Sequence, residues 1–304
     1  MNIGIALPSF GDFADTGLLR DIIQRAEDLN YYSIFAADHN LIDKDHWSSE
    51  FPARWFEPFG VVGYAAALTR RIKIGIAVVV VPYRPAGITA KAVATADQLT
   101  NGRFLFGVGP GYMKREFEGL NVPFESRGEM TDEYLRAMKE LWTSPDPSFD
   151  GKYVRFSNVK MEPKPVQKPH PPIFVGGNTQ AAMRRTALLG NAWHPVSLTP
   201  DELSTGMASI RQMAKAAGRN DHILFSTQGF QMRITDVPKG QKPMTKNGKR
   251  LPLNGTAEEI VSDFREFKRV GVEHILLRFH RVQDASGYLA AFDFFQKEIR
   301  PAIG

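Results

Sequence analysis

The sequence contains no cysteine, no run of like charges and no long apolar segment. Each absence removes a class of function. Without cysteine there is no disulfide framework, no thiolate metal site and no thiol nucleophile, so any redox chemistry must come from a cofactor. The 38 Lys and Arg residues outnumber the 33 Asp and Glu residues for a net charge of +5, but they are interspersed with acids, which describes a solvated surface and not a nucleic-acid face. The longest apolar stretches, such as IGIAVVVV at 74–81, are far too short to span a bilayer, and MNIGIALPSF lacks the basic start of a signal peptide. The expectation is a cytoplasmic protein that acts on a small molecule, with neither nucleic acid nor membrane as partner.

At 304 residues, 43% of them hydrophobic, the chain can bury a sizeable core. Short β-rich runs alternate with helical patterns along it. NIGIAL, YSIFAA, RIKIGIAVVVV, FLFGVG, IFVGG, Ala192 to His194, HILFSTQGFQMRI and EHILLRF read as eight strands. The third is β-branched and almost unalternating, as a strand buried on both faces should be. Helices are expected at about 15–30, 59–68, 88–99, 131–142, 179–189, 200–217, 257–270 and 288–299, the seventh opened by a capping box of Thr256 with Glu259 and closed at Gly271. Two stretches break the rhythm: a proline-rich excursion at about 144–172 with a small hairpin near Tyr153 to Phe156, and a Lys- and Pro-rich loop at about 235–255 that reads as mobile. Eight strands alternating with helices, without duplication, predict one α/β domain over 1–304, a (β/α)8 TIM barrel with loop insertions at its C-terminal face.

In such a barrel ligand groups gather at the C-terminal strand ends. These include Ser9 and Phe10; Asp38, His39 and Asn40; Ala77 and Val78; Gly109, Pro110 and Gly111; Gly176, Gly177, Asn178 and Thr179; Trp193 and His194; Gln228 to Gln231; and Arg278 to His280. The turn from Gly176 to Thr179 joins a strand to a helix. It can present backbone N–H groups to a phosphate, or it can be a tight turn with Asn178 or Thr179 capping the helix. The turn from Gly109 to Gly111 has the same ambiguity. Neither carries the Lys-Ser/Thr ending of a nucleotide-hydrolysing loop. Asp38 and His39 form a base pair, a cofactor clamp or an ordinary Asx turn. His46, near Asp43 and Asp45, lacks helical ligand spacing, so no metal site is expected. Phe10, Trp47, Trp55 and Phe56 either line an apolar pocket or belong to the core, and His194 after Trp193 is a candidate functional group, whereas His222 and His274, at strand starts, fall on the stability face. No serine occupies a Gly-x-Ser-x-Gly elbow. The residues by themselves reach a barrel holding a planar, phosphate-bearing ligand.

The blocks NIGIALPSFG, FAADH, EPFGVVGYAAALTRRIKIGIAV, ADQLTNGRFLFGVGPGYMKREFEGLNVPFESRG, PKPVQKPHPPIFVGGNTQAAMRRTALLGNAWHP and NGTAEEIVSDFREFKRVGVEHILLRF carry a stronger signal together. The chain resembles the bacterial luciferase-like monooxygenase superfamily, and within it the coenzyme F420-dependent branch. The resemblance implies an oxidoreductase in which Asp38 contacts the deazaflavin ring and His39 stands at its redox face. It also implies a non-prolyl cis peptide at Ala77–Val78 backing the ring, with Gly109, Pro110 and Gly111 beside the cofactor and Gly176, Gly177, Asn178 and Thr179 holding its phosphate. The expected substrate-pocket residues are Phe10, Trp47, Trp193 and His194, and the resemblance implies a homodimer. Ala77 replaces a Ser or Thr of some relatives, which removes a side-chain hydrogen bond there. An FMN-dependent monooxygenase of the same superfamily is the alternative; a non-catalytic flavin-binding barrel is the alternative from another class.

Overall fold

A computed structural model describes residues 1–11, 14–45, 53–236, 242–279 and 285–303. Eight parallel strands, β1 (Asn2–Ala6), β2 (Ser33–Ala36), β3 (Lys73–Val80), β4 (Phe104–Gly109), β5 (Ile173–Gly176), β6 (Ala192–His194), β7 (Leu224–Ile234) and β8 (His274–Phe279), pair in sequence, and β8 pairs back onto β1. The sheet is therefore a closed (β/α)8 barrel, as the alternation of the sequence predicts. Strands β2, β4, β5 and β6 are buried along their whole length. Their inward side chains, Phe35, Leu105, Phe174 and Ala192, meet Leu276 in the lumen, while the opposite faces pack under the helices.

The helices are α1 (Thr16–Asp28), α2 (Pro58–Leu68), α3 (Ala86–Leu99), α4 (Lys114–Gly119), α5 (Arg127–Thr143), α6 (Gln180–Leu189), α7 (Pro200–Ala216), α8 (Ala257–Val270) and α9 (Ala285–Phe294), the last continuing through a π turn at Phe295–Ile299. Local signals set their ends. Asp15 accepts from the N–H groups of Gly17 and Leu18 at 2.8 and 3.0 Å, and Thr256 with Glu259 completes the expected capping box, the helix ending at Gly271 with φ 98°. The six-residue α4 escaped the sequence reading because one turn and a half gives no periodicity; Phe117, fully buried, anchors it.

The excursion carries a hairpin of Phe149–Asp150 with Arg155–Phe156, whose turn donates three N–H groups, from Lys152, Tyr153 and Val154, to Glu133 of α5. Of the loop read as mobile, residues 237–241 lie outside the described residues. The rest is tied down: Thr245–Lys246 pairs with Lys249–Arg250, Asn254–Gly255 lies alongside β7, and Arg250 binds Asp263 through two 2.8 Å bonds. Among the described residues no helix is long and apolar enough to cross a membrane.

Candidate active site

Asp38 and His39 follow β2 into the barrel mouth. The Asp38 carboxylate is buried and committed to protein donors: Arg84 grips it with two bonds of 2.7 and 2.9 Å, and the N–H of Val80 adds a third at 3.0 Å. Arg84 also reaches Glu57 at 3.1 Å. A carboxylate with no exposed side-chain surface needs such a partner. Asp38 thus pins the end of β2 to the end of β3, a task that the sequence did not suggest.

His39 lies 2.9 Å through Nδ1 from Oε2 of Glu116, which comes from α4. Glu116 is fully buried and also accepts from the Tyr83 hydroxyl at 2.8 Å, from the Leu41 N–H at 3.1 Å and from the Asn40 N–H. Burial pushes its carboxyl up, but the bonds from His39, Asn40 and Tyr83 outweigh that and hold it below the usual carboxylate range. Burial and Glu116 push the Tyr83 phenol far up, so it acts as a donor. A carboxylate on Nδ1 fixes the imidazole tautomer and orientation. The ring is bounded by Trp55 at 4.6 Å and Tyr112 at 5.8 Å between centroids. Trp55 stacks on Phe10 at 4.2 Å, which places Phe10 at this wall; Trp47 and His46 lie outside the described residues.

The Ala77–Val78 peptide is cis, and the pairing of β3 with β4 shifts register between Ile76 and Val79. This irregularity explains the glycines of the next strands. A Cβ on Gly109 or Gly176 would meet the Val78 methyls at 2.7 or 2.6 Å, and one on Gly107 would meet the Ile76 carbonyl oxygen at 2.0 Å. The glycines at 109 and 176 therefore make room for Val78, which fills the floor of the mouth. Gly111 and Gly177 serve their turns directly, with φ of 77° and 113°.

At the β5–α6 turn Thr179 caps the helix by accepting from the Ala182 N–H at 3.2 Å. The Asn178 amide is bound both ways to the backbone of Val196, at 2.8 and 3.0 Å. The capping reading of this turn is realised, while the helix N-terminus behind Gly177 keeps the polarity that suits a phosphate.

Two expectations for β6 need separating. Trp193 faces outward: it is fully buried, donates to the Gly177 carbonyl at 3.0 Å, and fills the space over Gly206 of α7, where a Cβ would lie 2.2 Å from its ring. It belongs to the helix–sheet core and does not line the pocket, because neighbouring strand residues point to opposite faces. His194 points into the lumen, stacked on Phe35 at 5.8 Å. Its Nδ1 is 2.7 Å from Ser226, Ser226 is 2.7 Å from Nδ1 of His274, and Nε2 of His274 is 2.8 Å from Ser33. His274 therefore departs from the stability-face reading: it begins β8 but belongs to a lumen chain that climbs to the mouth. His222 stays outside, exposed and paired with Glu273 at 2.9 Å.

Glu116, Tyr83 and Arg84 were missed by the sequence reading. Each sits on an element after a strand end, and the only signal was the charged block KREFEG directly behind Gly111. Among the described residues no group of three or more His, Asp or Glu side chains could hold a metal ion.

The model of the luciferase-like monooxygenase family matches residues 1–231. Over 155 residues the chain is 34% identical to the FMNH2-dependent dimethylsulfone monooxygenase of Pseudomonas putida, which covers 50% of this chain and only 42% of that enzyme's length. Over 208 residues it is 31% identical to an uncharacterized protein of Mycobacterium tuberculosis, 68% of this chain and 67% of that one. Two solved structures superpose over the whole chain at 19% identity: the monooxygenase RslO1 of Streptomyces bottropensis, covered to 100% with a TM-score of 0.81, and the coenzyme F420-dependent tetrahydromethanopterin reductase of Methanopyrus kandleri, covered to 99% with a TM-score of 0.79. At that identity the likeness is one of fold.

Proposed function

Since this chain belongs to the luciferase-like monooxygenase family, we propose that it is an oxidoreductase that binds the deazaflavin coenzyme F420 in the barrel mouth and serves hydride transfer between the coenzyme and a small organic substrate. The observation that carries this reading is the His39–Glu116 pair, 2.9 Å apart, beyond the end of β2. The residues fit such a group. Among the described residues the buried Ser9 Oγ and His194 Nε2 have no protein partner, as expected where a ligand completes the bonding. Ala77 and Val78 offer an apolar support for a planar ring, and the start of α6 behind Gly177 offers backbone N–H groups to a phosphate.

When bound, the ring supplies the carbon that gives or takes the hydride. The protein does the rest. Glu116, kept ionised by its donors, holds the His39 Nδ1 hydrogen, so that Nε2 exchanges the substrate proton that accompanies the hydride. Arg84 and Asp38 anchor the segment that carries His39. Trp55 and Tyr112 border the His39 ring, and Phe10 stacks on Trp55. A cytoplasmic homodimer is part of the same reading by family resemblance, and sedimentation would test the assembly.

A second reading, an FMN-dependent monooxygenase, is favoured by the 34% identity to an enzyme named for FMNH2 dependence. Titrating the purified protein with F420 and FMN separately, followed by cofactor fluorescence, decides between them. Binding of F420 alone is the expected result; FMN binding without F420 selects the second reading, and binding of neither overturns both.

A further inference from the structure

The lumen chain contains a hydrogen-counting constraint. Ser33, His274, Ser226 and His194 are joined by three contacts of 2.8, 2.7 and 2.7 Å. All four are buried. Burial pushes His194 down to about 4 and His274, further lowered by His194, to about 3, so both imidazoles are neutral at physiological pH. A neutral imidazole carries one ring hydrogen and a serine one hydroxyl hydrogen. Four hydrogens serve three bonds, so one is left over: on Nε2 of His194, on Oγ of Ser33, or on Oγ of Ser226 when that oxygen accepts from both imidazoles.

The two arrangements with the spare hydrogen at an end of the chain keep the same heavy atoms and the same zero charge. In one, Ser33 donates to His274, His274 to Ser226 and Ser226 to His194, and His194 Nε2–H is a donor. In the other every bond is reversed, and His194 Nε2 is an acceptor. The chain runs from the first residues of β2 and β8, at the barrel base, to the last residue of β6, at the mouth. Its upper end is the nitrogen that lacks a protein partner. Backbone pairing sets His194 beside Gly176, whose missing Cβ is replaced by Val78. His194 is therefore the register neighbour of the Val78-filled floor on which the ring is proposed to rest.

We infer that this chain is a charge-neutral polarity switch that lets His194 Nε2 accept from, or donate to, a cofactor ring atom whose hydrogen-bonding character reverses on reduction. The inference rests on the cofactor reading given above. A flavin-type ring gains a hydrogen on a ring nitrogen when reduced, so a site that must hold both forms needs an acceptor for one and a donor for the other. A lone histidine with a fixed partner on Nδ1 offers only one polarity. Ser226, which both gives and takes, and His274 behind it remove that restriction. They are positioning residues, acting through His194.

The test compares oxidised and reduced FMN and F420 on the wild type, Ser226→Ala and Ser226→Thr under anaerobic titration, with the nitrogen-15 shifts of His194 read in each wild-type complex. The Nε2 shift is expected to change between the protonated and unprotonated types on reduction. Ser226→Ala is expected to move the ratio of the two dissociation constants by about tenfold, the scale of one hydrogen bond, while Ser226→Thr, which keeps the hydroxyl, leaves it within about twofold. Wild type that binds both forms with one unchanged His194 tautomer overturns this inference and leaves the cofactor reading standing. Wild type that binds neither ligand overturns the cofactor reading and this inference with it. Should Ser226→Ala fail to fold, the wild-type shifts alone decide.

Discussion

His39 and Glu116 are 77 positions apart in the chain and 2.9 Å apart in the structure, Nδ1 to Oε2. Replacing His39 by Ala should lower turnover by roughly 10²–10⁴-fold, the usual contribution of a positioned acid–base group, with cofactor affinity changed by no more than about threefold. Glu116→Gln should lower turnover less and also alter its pH dependence, because the imidazole then faces a neutral amide in place of a carboxylate. A stopped-flow measurement of cofactor oxidation against pH, beside a binding titration, separates the two. Equal losses of binding and turnover in His39→Ala would make the histidine a binding group.

The Asp38–Arg84 pair gives a stability prediction. Removing the guanidinium in Arg84→Ala leaves a fully buried carboxylate side chain with only backbone and Asn40 donors. Breaking such a pair costs about 3–5 kcal/mol, at the low end here because Arg84 keeps some solvent contact. Urea denaturation of the variant should show a lowered midpoint. An unchanged midpoint would mean that Asp38 takes its stabilisation from Val80 and Asn40 alone.

Glycines of the barrel floor and of the helices should respond oppositely to alanine. At Gly107 the new methyl would meet backbone, the Ile76 oxygen, at 2.0 Å, and at Gly176 a Val78 methyl at 2.6 Å. Overpacking of this kind costs about 1–3 kcal/mol, and more at Gly107, where backbone must move. At Gly63, within α2, nothing lies within 4 Å, so Gly63→Ala should be neutral or stabilise by up to about 1 kcal/mol. Thermal melts of the three variants check the order.

The neutral lumen histidines tie stability to pH. Their folded-state values, about 4 for His194 and about 3 for His274, lie below the ordinary value of about 6.5 for an unfolded histidine. The unfolded chain therefore binds protons first as pH falls. The stabilisation is complete above about pH 6.5 and is lost as pH falls from there through the folded-state values, at up to about 1.4 kcal/mol per pH unit for each group. Denaturant midpoints should decline from pH 6.5 to 4.5, and His194→Asn should flatten that decline. A decline of equal slope in the variant would assign it to the carboxylates alone.

Much of this arrangement is legible in the sequence, because strands and helices announce themselves by period. The stretch RIKIGIAVVVV reads as a doubly buried strand and is one, and Thr256, Glu259 and Gly271 mark the ends of α8 as written. The mouth is legible as a set of strand ends. What those ends do to each other is not, since partners such as Glu116 for His39 and Arg84 for Asp38 come from elements 77 and 46 residues away. Parity misled at Trp193, where one residue's offset from His194 separates the helix side from the lumen. The glycines of FLFGVG and IFVGG looked like ligand approaches, and the space they leave at Gly109 and Gly176 belongs to Val78. His274 looked structural because it starts a strand, although its side chain runs along the lumen toward the mouth.

The most direct measurement is a crystal structure of the protein soaked with oxidised F420, and in parallel with FMN. The ring is expected in the barrel mouth against Ala77 and Val78, with the substrate-facing side open to His39 Nε2 and the phosphate at the start of α6 behind Gly177. A ring bound elsewhere, or one that leaves His39 and Val78 untouched, would contradict the assignment of this mouth as the redox site.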